Sequence, residues 1–421
     1  MKIISITGTK GKTTITRGLS YLINKLGITT LRVDTDGHYI NEKQKSTLRD
    51  SADFFHLVPT VCPGKFLWEM KKFHPNFTAI LETAIGSSNL PGLGYGYHNI
   101  GIFSNVFEDH LGATKRLKKR SDIAKAKRFI FSEVSKYGYL IFNADDKLVC
   151  SQLKFIPKRF IGTLIPVGFN FKYFPLKSHL DSGGMAISKK DDYLILKTKT
   201  TIKKILNLKN IRWTFEGNYL PSIYNLMFII GGIYAHQDKR IPKNLTALLE
   251  KYTLDEQGGR LTLFENKKGV KIILDFAHEK YSLREIGKLA KKITTKGKAV
   301  GVLRLSPDRT DEMIINTGEF IAQNYDYLLI YDKIDGVNKK THKGSGNIPS
   351  RKIGEVSSLF LKGILRSKKR GVAERIILEK SAIEKASKIV TPGDVVVVIS
   401  GENHKKTIGY IKKYFEANLA K

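Results

Sequence analysis

Along the first 150 residues, short β-branched runs alternate with amphipathic stretches, the pattern of a parallel sheet covered by helices. Residues 3–7 read as a strand, and 14–26 as a helix with apolar positions at i, i+3 and i+4. Further strands are expected at 28–33, 77–82, 100–105 and 139–142. The glycine-rich stretch 86–96 has the backbone freedom of a loop passing over a ligand. Residues 151–215 change character. Alternation at 193–197 and 201–206 predicts antiparallel strands in a side sheet, followed by a helix at about 221–235. A polar, glycine-bearing turn at 255–259 predicts a domain boundary. Beyond it the α/β alternation restarts, with strands at 270–275, 299–303, 328–331 and 395–399 and helices near 282–292 and 311–323. Two α/β domains follow, 1–257 (side sheet about 151–215) and a smaller 258–421, with no internal repeat or low-complexity tract.

Composition narrows this picture. Apolar residues make up 41% of the 421 residues and aromatics 10%, enough for packed cores. The two cysteines, Cys62 and Cys150, exclude a disulfide scaffold. The longest apolar stretch, near 226–235, is broken by Gly231 and Gly232 and falls short of the roughly 20 residues a bilayer requires. The first residues read as a strand and not as a signal peptide, so a cytoplasmic protein without membrane insertion is expected. The 72 Lys+Arg against 39 Asp+Glu give a net charge of +33, which favours polyanions. The lysines are dispersed, however, and neither zinc-finger spacing nor an aromatic RNP motif is present, so no nucleic-acid partner is expected.

Candidate chemistry starts where the first strand ends. Thr7-Gly8-Thr9-Lys10-Gly11-Lys12-Thr13-Thr14 leads straight into a helix. Glycines let the backbone wrap phosphates, and the helix start adds N–H groups and the positive end of its dipole. Lys12 supplies a point charge for terminal phosphates, and the Thr13 hydroxyl suits the Mg²⁺ that accompanies them. The strict GxxxxGK[ST] form would put glycine where Ile6 stands, and the alternative is a Gly/Thr-rich turn. In an open parallel sheet, chemistry collects at the carboxyl ends of strands. Glu82 ends one strand and is a candidate carboxylate for the Mg²⁺. His110, within Asn105-Val106-Phe107-Glu108-Asp109-His110-Leu111-Gly112, is a candidate second-metal ligand or orienting group, against a structural role. Asp145 and Asp146 read as a helix cap or turn.

In this order, these motifs resemble the Mur ligase superfamily of ATP-dependent amide-forming enzymes. The matching stretches are Thr7 to Thr14; Glu82-Thr83-Ala84 with Gly92-Leu93-Gly94-Tyr95; Ser104-Asn105-Val106 with Glu108 to Gly112; and Asn143-Ala144-Asp145-Asp146. Gly259-Arg260-Leu261 and Asp275-Phe276-Ala277-His278 follow, with weaker similarity at Asp308-Arg309 and Asp311-Glu312. The Glu-Thr-Ala and Gly-Leu-Gly-Tyr elements look most like the Mur-type module of cyanophycin synthetases, without an adjoining ATP-grasp region. Free-standing archaeal members include the pseudomurein peptide ligases, with which a compact Lys- and Ile-rich chain is compatible, so a role in cell-wall precursor synthesis is implied.

The resemblance implies an α/β architecture. A central P-loop-type parallel-sheet ATPase domain carries an antiparallel side sheet, and a smaller C-terminal Rossmann-like α/β domain follows, with no N-terminal UDP-binding domain. It implies that Gly8, Thr9, Lys10, Gly11, Lys12, Thr13 and Thr14 hold ATP, and that Thr13 and Glu82 hold one Mg²⁺. His110 and a carbamylated lysine would support a second ion. That lysine falls on Lys127, with Lys125 the runner-up. Arg260 would reach the phosphates, Asp275 the ribose, His278 the nucleotide or its surroundings, and Asn225 the adenine. The implied reaction joins an amino acid to a peptide-like carboxylate acceptor through an acyl phosphate, in a monomeric, ADP-forming ligase. Pro221-Ser222-Ile223-Tyr224 departs from the His-Asn or Asn usual before the adenine Asn. Tyr331-Asp332-Lys333-Ile334-Asp335 replaces the bacterial Asp-Asn-Pro-Arg signature and argues against diaminopimelate. A folylpolyglutamate-synthase-like enzyme ranks lower, because Asp275 to Lys280 stands where Gly-Ala-His-Asn-Pro is usual. A basic, nucleic-acid-stimulated NTPase is the alternative of another class.

Overall fold

The computed structural model describes residues 1–47, 59–74, 76–84, 93–108, 111, 117–253, 260–294, 296–307, 309–332, 341–342, 351–401 and 403–420. Two compact units divide the chain, 1–107 with 119–252 and 108–118 with 253–421. The boundary expected at 257/258 lies within 254–259, outside the described residues.

The first unit is built on one sheet. Its strands are β1 (Lys2–Thr7), β2 (Thr30–Asp34), β3 (Gly37–Ile40), β4 (Lys43–Thr47), β5 (Thr78–Glu82), β6 (His98–Phe103), β7 (Val134–Asn143), β8 (Thr163–Val167), β9 (Ala186–Lys190), β10 (Tyr193–Lys197) and β11 (Ile202–Asn207). They lie in the order β11-β10-β9-β8-β7-β6-β1-β5-β2-β3-β4. The seven from β9 to β2 run parallel, so their carboxyl ends share one edge. β1 sits in the middle, where the chain leaves first to one side and then to the other. The crevice at such a reversal is where open α/β sheets bind ligands. Register places Ile6 beside Glu82 and Thr7 beside Phe103.

The expected separate side sheet is corrected. β9, β10 and β11 form an antiparallel meander hydrogen-bonded onto β8 through the Val167–Ile187 pair, so they extend the main sheet. Alternation reveals strands but not their partners. The β3–β4 hairpin and β8, whose polar or short runs carry weak periodicity, were not anticipated.

Helix Lys12–Lys25 covers the sheet beside β1. Its residues Ile15, Leu19, Leu22 and Ile23 are fully buried, each contributing about 1.5–3 kcal/mol of apolar burial. Truncating Leu19 to Ala would cost about 2–5 kcal/mol. Helix Leu220–His236 is apolar almost all round and packs against it, β6 and β7.

The second unit has strands β12 (Thr262–Glu265), β13 (Lys271–Asp275), β14 (Ala299–Leu303), β15 (Tyr327–Ile330), β16 (Thr341–His342), β17 (Arg351–Lys352), β18 (Val372–Arg375), β19 (Val395–Ile399) and β20 (Asn418–Leu419). Seven make a sheet in the order β18-β15-β14-β19-β13-β12-β20, parallel from β18 to β13, while β16 and β17 pair separately. Its near-continuous Val/Ile/Leu strands are buried, among them Ile272, Leu274, Val302, Val396 and Val398, as expected of parallel strands covered on both faces. No helix among the described residues is long and apolar enough to cross a membrane.

Candidate functional site

At the carboxyl end of β1 the chain turns through Gly8, with φ of +143°, and Gly11, with φ of +86°. Both conformations favour glycine. Both positions are also crowded: a Cβ on Gly8 would lie 2.0 Å from Ser104 Oγ, and one on Gly11 would lie 2.2 Å from Asn225 Oδ1. Neighbouring strand ends hold the loop. Asn105 Oδ1 accepts from the Lys10 amide at 2.8 Å, and its Nδ2 donates to the Lys10 carbonyl at 3.0 Å. Ser104 Oγ donates to the same carbonyl at 2.8 Å, and the Asn105 carbonyl accepts from the Thr9 amide at 2.9 Å. Gly11 caps helix Lys12–Lys25 without a side-chain hydrogen bond, and the positive end of the helix dipole lies at the end of β1.

Glu82 ends β5 beside this loop and is 3% exposed. Thr13 Oγ1 donates to its Oε2 at 2.8 Å, Thr35 Oγ1 donates to its Oε1 at 3.1 Å, and Lys12 Nζ lies 4.0 Å from Oε1. Lys12 Nζ also donates to the Thr9 carbonyl at 3.1 Å. Thus an ammonium, two hydroxyls and a buried carboxylate converge in front of a helix start. Mg²⁺ is ordinarily held by one or two carboxylates together with phosphate oxygens and water, and Thr13 with Glu82 fits that donor set. Among the described residues no group of three or more His, Cys, Asp or Glu gathers to hold a metal by protein ligands alone.

The two candidate lysines separate cleanly. Lys125 lies exposed on helix Arg120–Ala126, whereas Lys127 follows that helix and is 3% exposed. Its Nζ donates to Thr7 Oγ1 at 3.4 Å, at the root of the phosphate-type loop. His110 lies outside the described residues. Asn225 is brought onto Gly11, and the preceding Tyr224 donates to Asp145 Oδ2 at 2.7 Å, fastening its helix to the end of β7. Asp145 also accepts from the amides of Phe169 and Phe171 at 2.6 Å each. Asp146 caps helix Lys147–Cys150 and accepts from the Val106 amide at 2.8 Å. Burial raises its carboxyl above the usual range, opposed by the amides it accepts from. Thr35 and the bracing roles of Ser104 and Asn105 escaped the sequence reading. Ser104 and Asn105 stand in a recognisable motif, whereas a lone threonine after β2 carries no signal.

In the second unit, Asp275 ends β13 and accepts from the amides of Leu261 at 2.9 Å and Ala277 at 2.7 Å. Burial raises its carboxyl, while the Leu261 amide and the Arg260 guanidinium pull the other way. His278 Nδ1 bonds the Phe276 carbonyl at 2.9 Å, and the ring borders a cavity of about 270 Å³ shared with Lys280, Arg309 and Thr317. Arg351 clamps the cavity's loop, donating to the Arg309 carbonyl at 2.6 Å and pairing with Asp311 at 2.7 Å.

Residues 6–211 match the Mur ligase middle domain. Across 97% of its length the chain is 27% identical to cyanophycin synthetase of Nostoc sp. and spans 42% of that protein, so it covers about two-fifths of such relatives. Among solved structures, E. coli FolC in complex with DHPP and ADP superimposes with a TM-score of 0.67 at 13% identity, covering 98% of this chain and 89% of that one. A pseudomurein peptide ligase type C from Methanothermus fervidus gives 0.61 at 14% identity, covering 98% and 78%. At such identities these structures establish the shared fold.

Proposed function

We propose, from the premise that residues 6–211 are a Mur ligase middle domain, that the protein is an ATP-dependent carboxylate–amine ligase. The observation that carries this reading is the buried Glu82 carboxylate bonded to Thr13 directly beside the Gly8–Gly11 turn. In this reading the loop amides and Lys12 bind the ATP phosphates, Asn225 lies by the adenine, and Arg260, Asp275 and His278 are further nucleotide-binding residues. Thr13 and Glu82 would hold Mg²⁺, which when bound would supply positive charge to offset that on the transferring phosphoryl group. Lys127 is the carbamylated lysine. A buried ammonium is costly, and reaction of its neutral amine with CO₂, with loss of a proton, yields an anion suited to a second ion shared with His110.

A carboxylate oxygen of a peptide-like acceptor displaces ADP from the γ-phosphorus, giving an acyl phosphate. The amino group of an amino acid then attacks the acyl carbon, phosphate leaves with the C–O electron pair, and the amine proton passes to a base. Lys12 stabilises the charge that develops on the transferred oxygens. Similarity to cyanophycin synthetase along 97% of this chain and 42% of that protein supports peptide-like chemistry, and a cell-wall precursor of the pseudomurein type is the acceptor proposed here.

The test is phosphate release from ATP by the purified chain with amino acids and peptide acceptors, with and without polynucleotide. Release that needs an amino acid and an acceptor together is expected. Stimulation by DNA or RNA, with none from amino acid plus acceptor, would overturn the ligase reading in favour of a nucleic-acid-stimulated NTPase.

A further inference from the structure

We infer that Thr35, in the turn after β2, is a positioning residue for the Glu82 carboxylate and thereby sets how strongly a divalent cation joins the bound nucleotide. The inference rests on the nucleotide reading above and extends it to an element that no recognised motif includes. Thr35 Oγ1 donates to Glu82 Oε1 at 3.1 Å, while Thr13 Oγ1 donates to Oε2 at 2.8 Å. One oxygen of the carboxylate is thus held by each hydroxyl. Without Thr35, Oε1 would keep Lys12 Nζ, 4.0 Å away, as a competing partner. The carboxylate would be free to turn toward that ammonium and away from the Thr13 side.

The turn is built to keep Thr35 in place. Asp34 Oδ1 accepts from the Asp36 amide at 2.9 Å, closing a short loop around Thr35. Arg17 Nε donates to Asp34 Oδ2 at 3.0 Å, and its other arm pairs with Asp36, so one guanidinium grips both neighbours of Thr35. Arg17 lies four residues after Thr13 on helix Lys12–Lys25, on the same face. The helix that presents the Thr13 hydroxyl therefore also fixes the turn that presents the Thr35 hydroxyl. Asp34 is fully buried, and Arg32 Nε approaches its Oδ2 at 3.4 Å. Such a paired, buried arrangement resists displacement because separating it would strand charge away from water.

The experiment measures AMP-PNP affinity by calorimetry in EDTA and again in saturating Mn²⁺. The ratio of the two is the contribution of the metal. Thr35→Val keeps the shape and removes the donor, whereas Thr35→Ser keeps the donor. A hydrogen bond to a charged acceptor makes the expected loss in that ratio about tenfold or more for Thr35→Val. Metal-free affinity should fall far less than affinity in Mn²⁺, the melting temperature should drop by a few degrees because the buried carboxylate loses a donor, and Thr35→Ser should remain within about twofold of the unmodified protein in the ratio. A Thr35→Val ratio equal to the unmodified one would overturn the role of Thr35 alone. So would a Thr35→Ser variant as impaired as Thr35→Val, or equal losses with and without metal. Absence of AMP-PNP binding by the unmodified chain would overturn both this inference and the nucleotide reading beneath it.

Discussion

Replacing Gly8 with alanine tests the architecture of the loop most directly. The backbone φ of +143° is disfavoured for any residue with a Cβ, at a cost of about 1–3 kcal/mol. The new methyl would sit 2.0 Å from Ser104 Oγ and 3.1 Å from the Asn105 amide nitrogen. The hydroxyl can rotate away only by giving up its bond to the Lys10 carbonyl, which costs about 1 kcal/mol. The backbone amide cannot yield without moving the strand end that anchors Thr9 and Lys10. Together these terms give about 2–4 kcal/mol. Both tryptophans, the exposed Trp68 and the buried Trp213, belong to the first unit, so their fluorescence in a urea titration follows that unit alone. With a urea dependence of about 3 kcal/mol per M for a unit of this size, the midpoint should fall by about 1 M, and AMP-PNP binding should be lost. Adding Ser104→Gly to Gly8→Ala removes the nearest clash and should recover part of the midpoint. A single Gly8→Ala variant within about 0.5 kcal/mol of the parent, with unchanged nucleotide affinity, would refute the steric account.

Lys12→Ala should abolish ATP turnover, by about 10²–10³-fold or more, with little change in the urea midpoint, because a partly exposed ammonium adds little to stability; phosphate release and fluorescence read the two separately. Lys127→Ala should abolish turnover unless a short carboxylate or bicarbonate restores it, whereas the exposed Lys125→Ala should turn over normally. Full activity in Lys127→Ala would remove the carbamate. Burial holds His98 and His236 neutral, with pKa values lowered to about 4 in the folded chain against about 6.5 unfolded. Below pH 6.5 the unfolded chain takes up protons that the native one refuses, so stability should fall as pH drops from 6.5 to 4, by on the order of 3 kcal/mol per histidine. Urea midpoints across that range should show the fall, and His98→Gln should flatten it.

Much of the site could be read in one dimension because its chemistry is local. A strand, two glycines, Lys12 and Thr13 are contiguous, and the turn they form depends on φ values that few other residues adopt. Glu82 was equally legible as a carboxylate ending an apolar run, since parallel strands deliver such ends to one edge. The choice between Lys125 and Lys127 was not. Two lysines separated by one residue near a helix end look alike in sequence, and only packing decides which is exposed and which is buried near Thr7. Nor does alternation at 193–197 and 201–206 tell a separate sheet from a continued one, because a strand's own periodicity does not name the strand it bonds. Thr35 marks the same boundary: nothing around it signals chemistry, and it reaches Glu82 only because β2 and β5 pair in parallel and Arg17 closes on both flanking aspartates. Composition and local pattern therefore determined the elements and the phosphate-type turn. Long-range pairing, which no short window of residues encodes, decided which side chains meet.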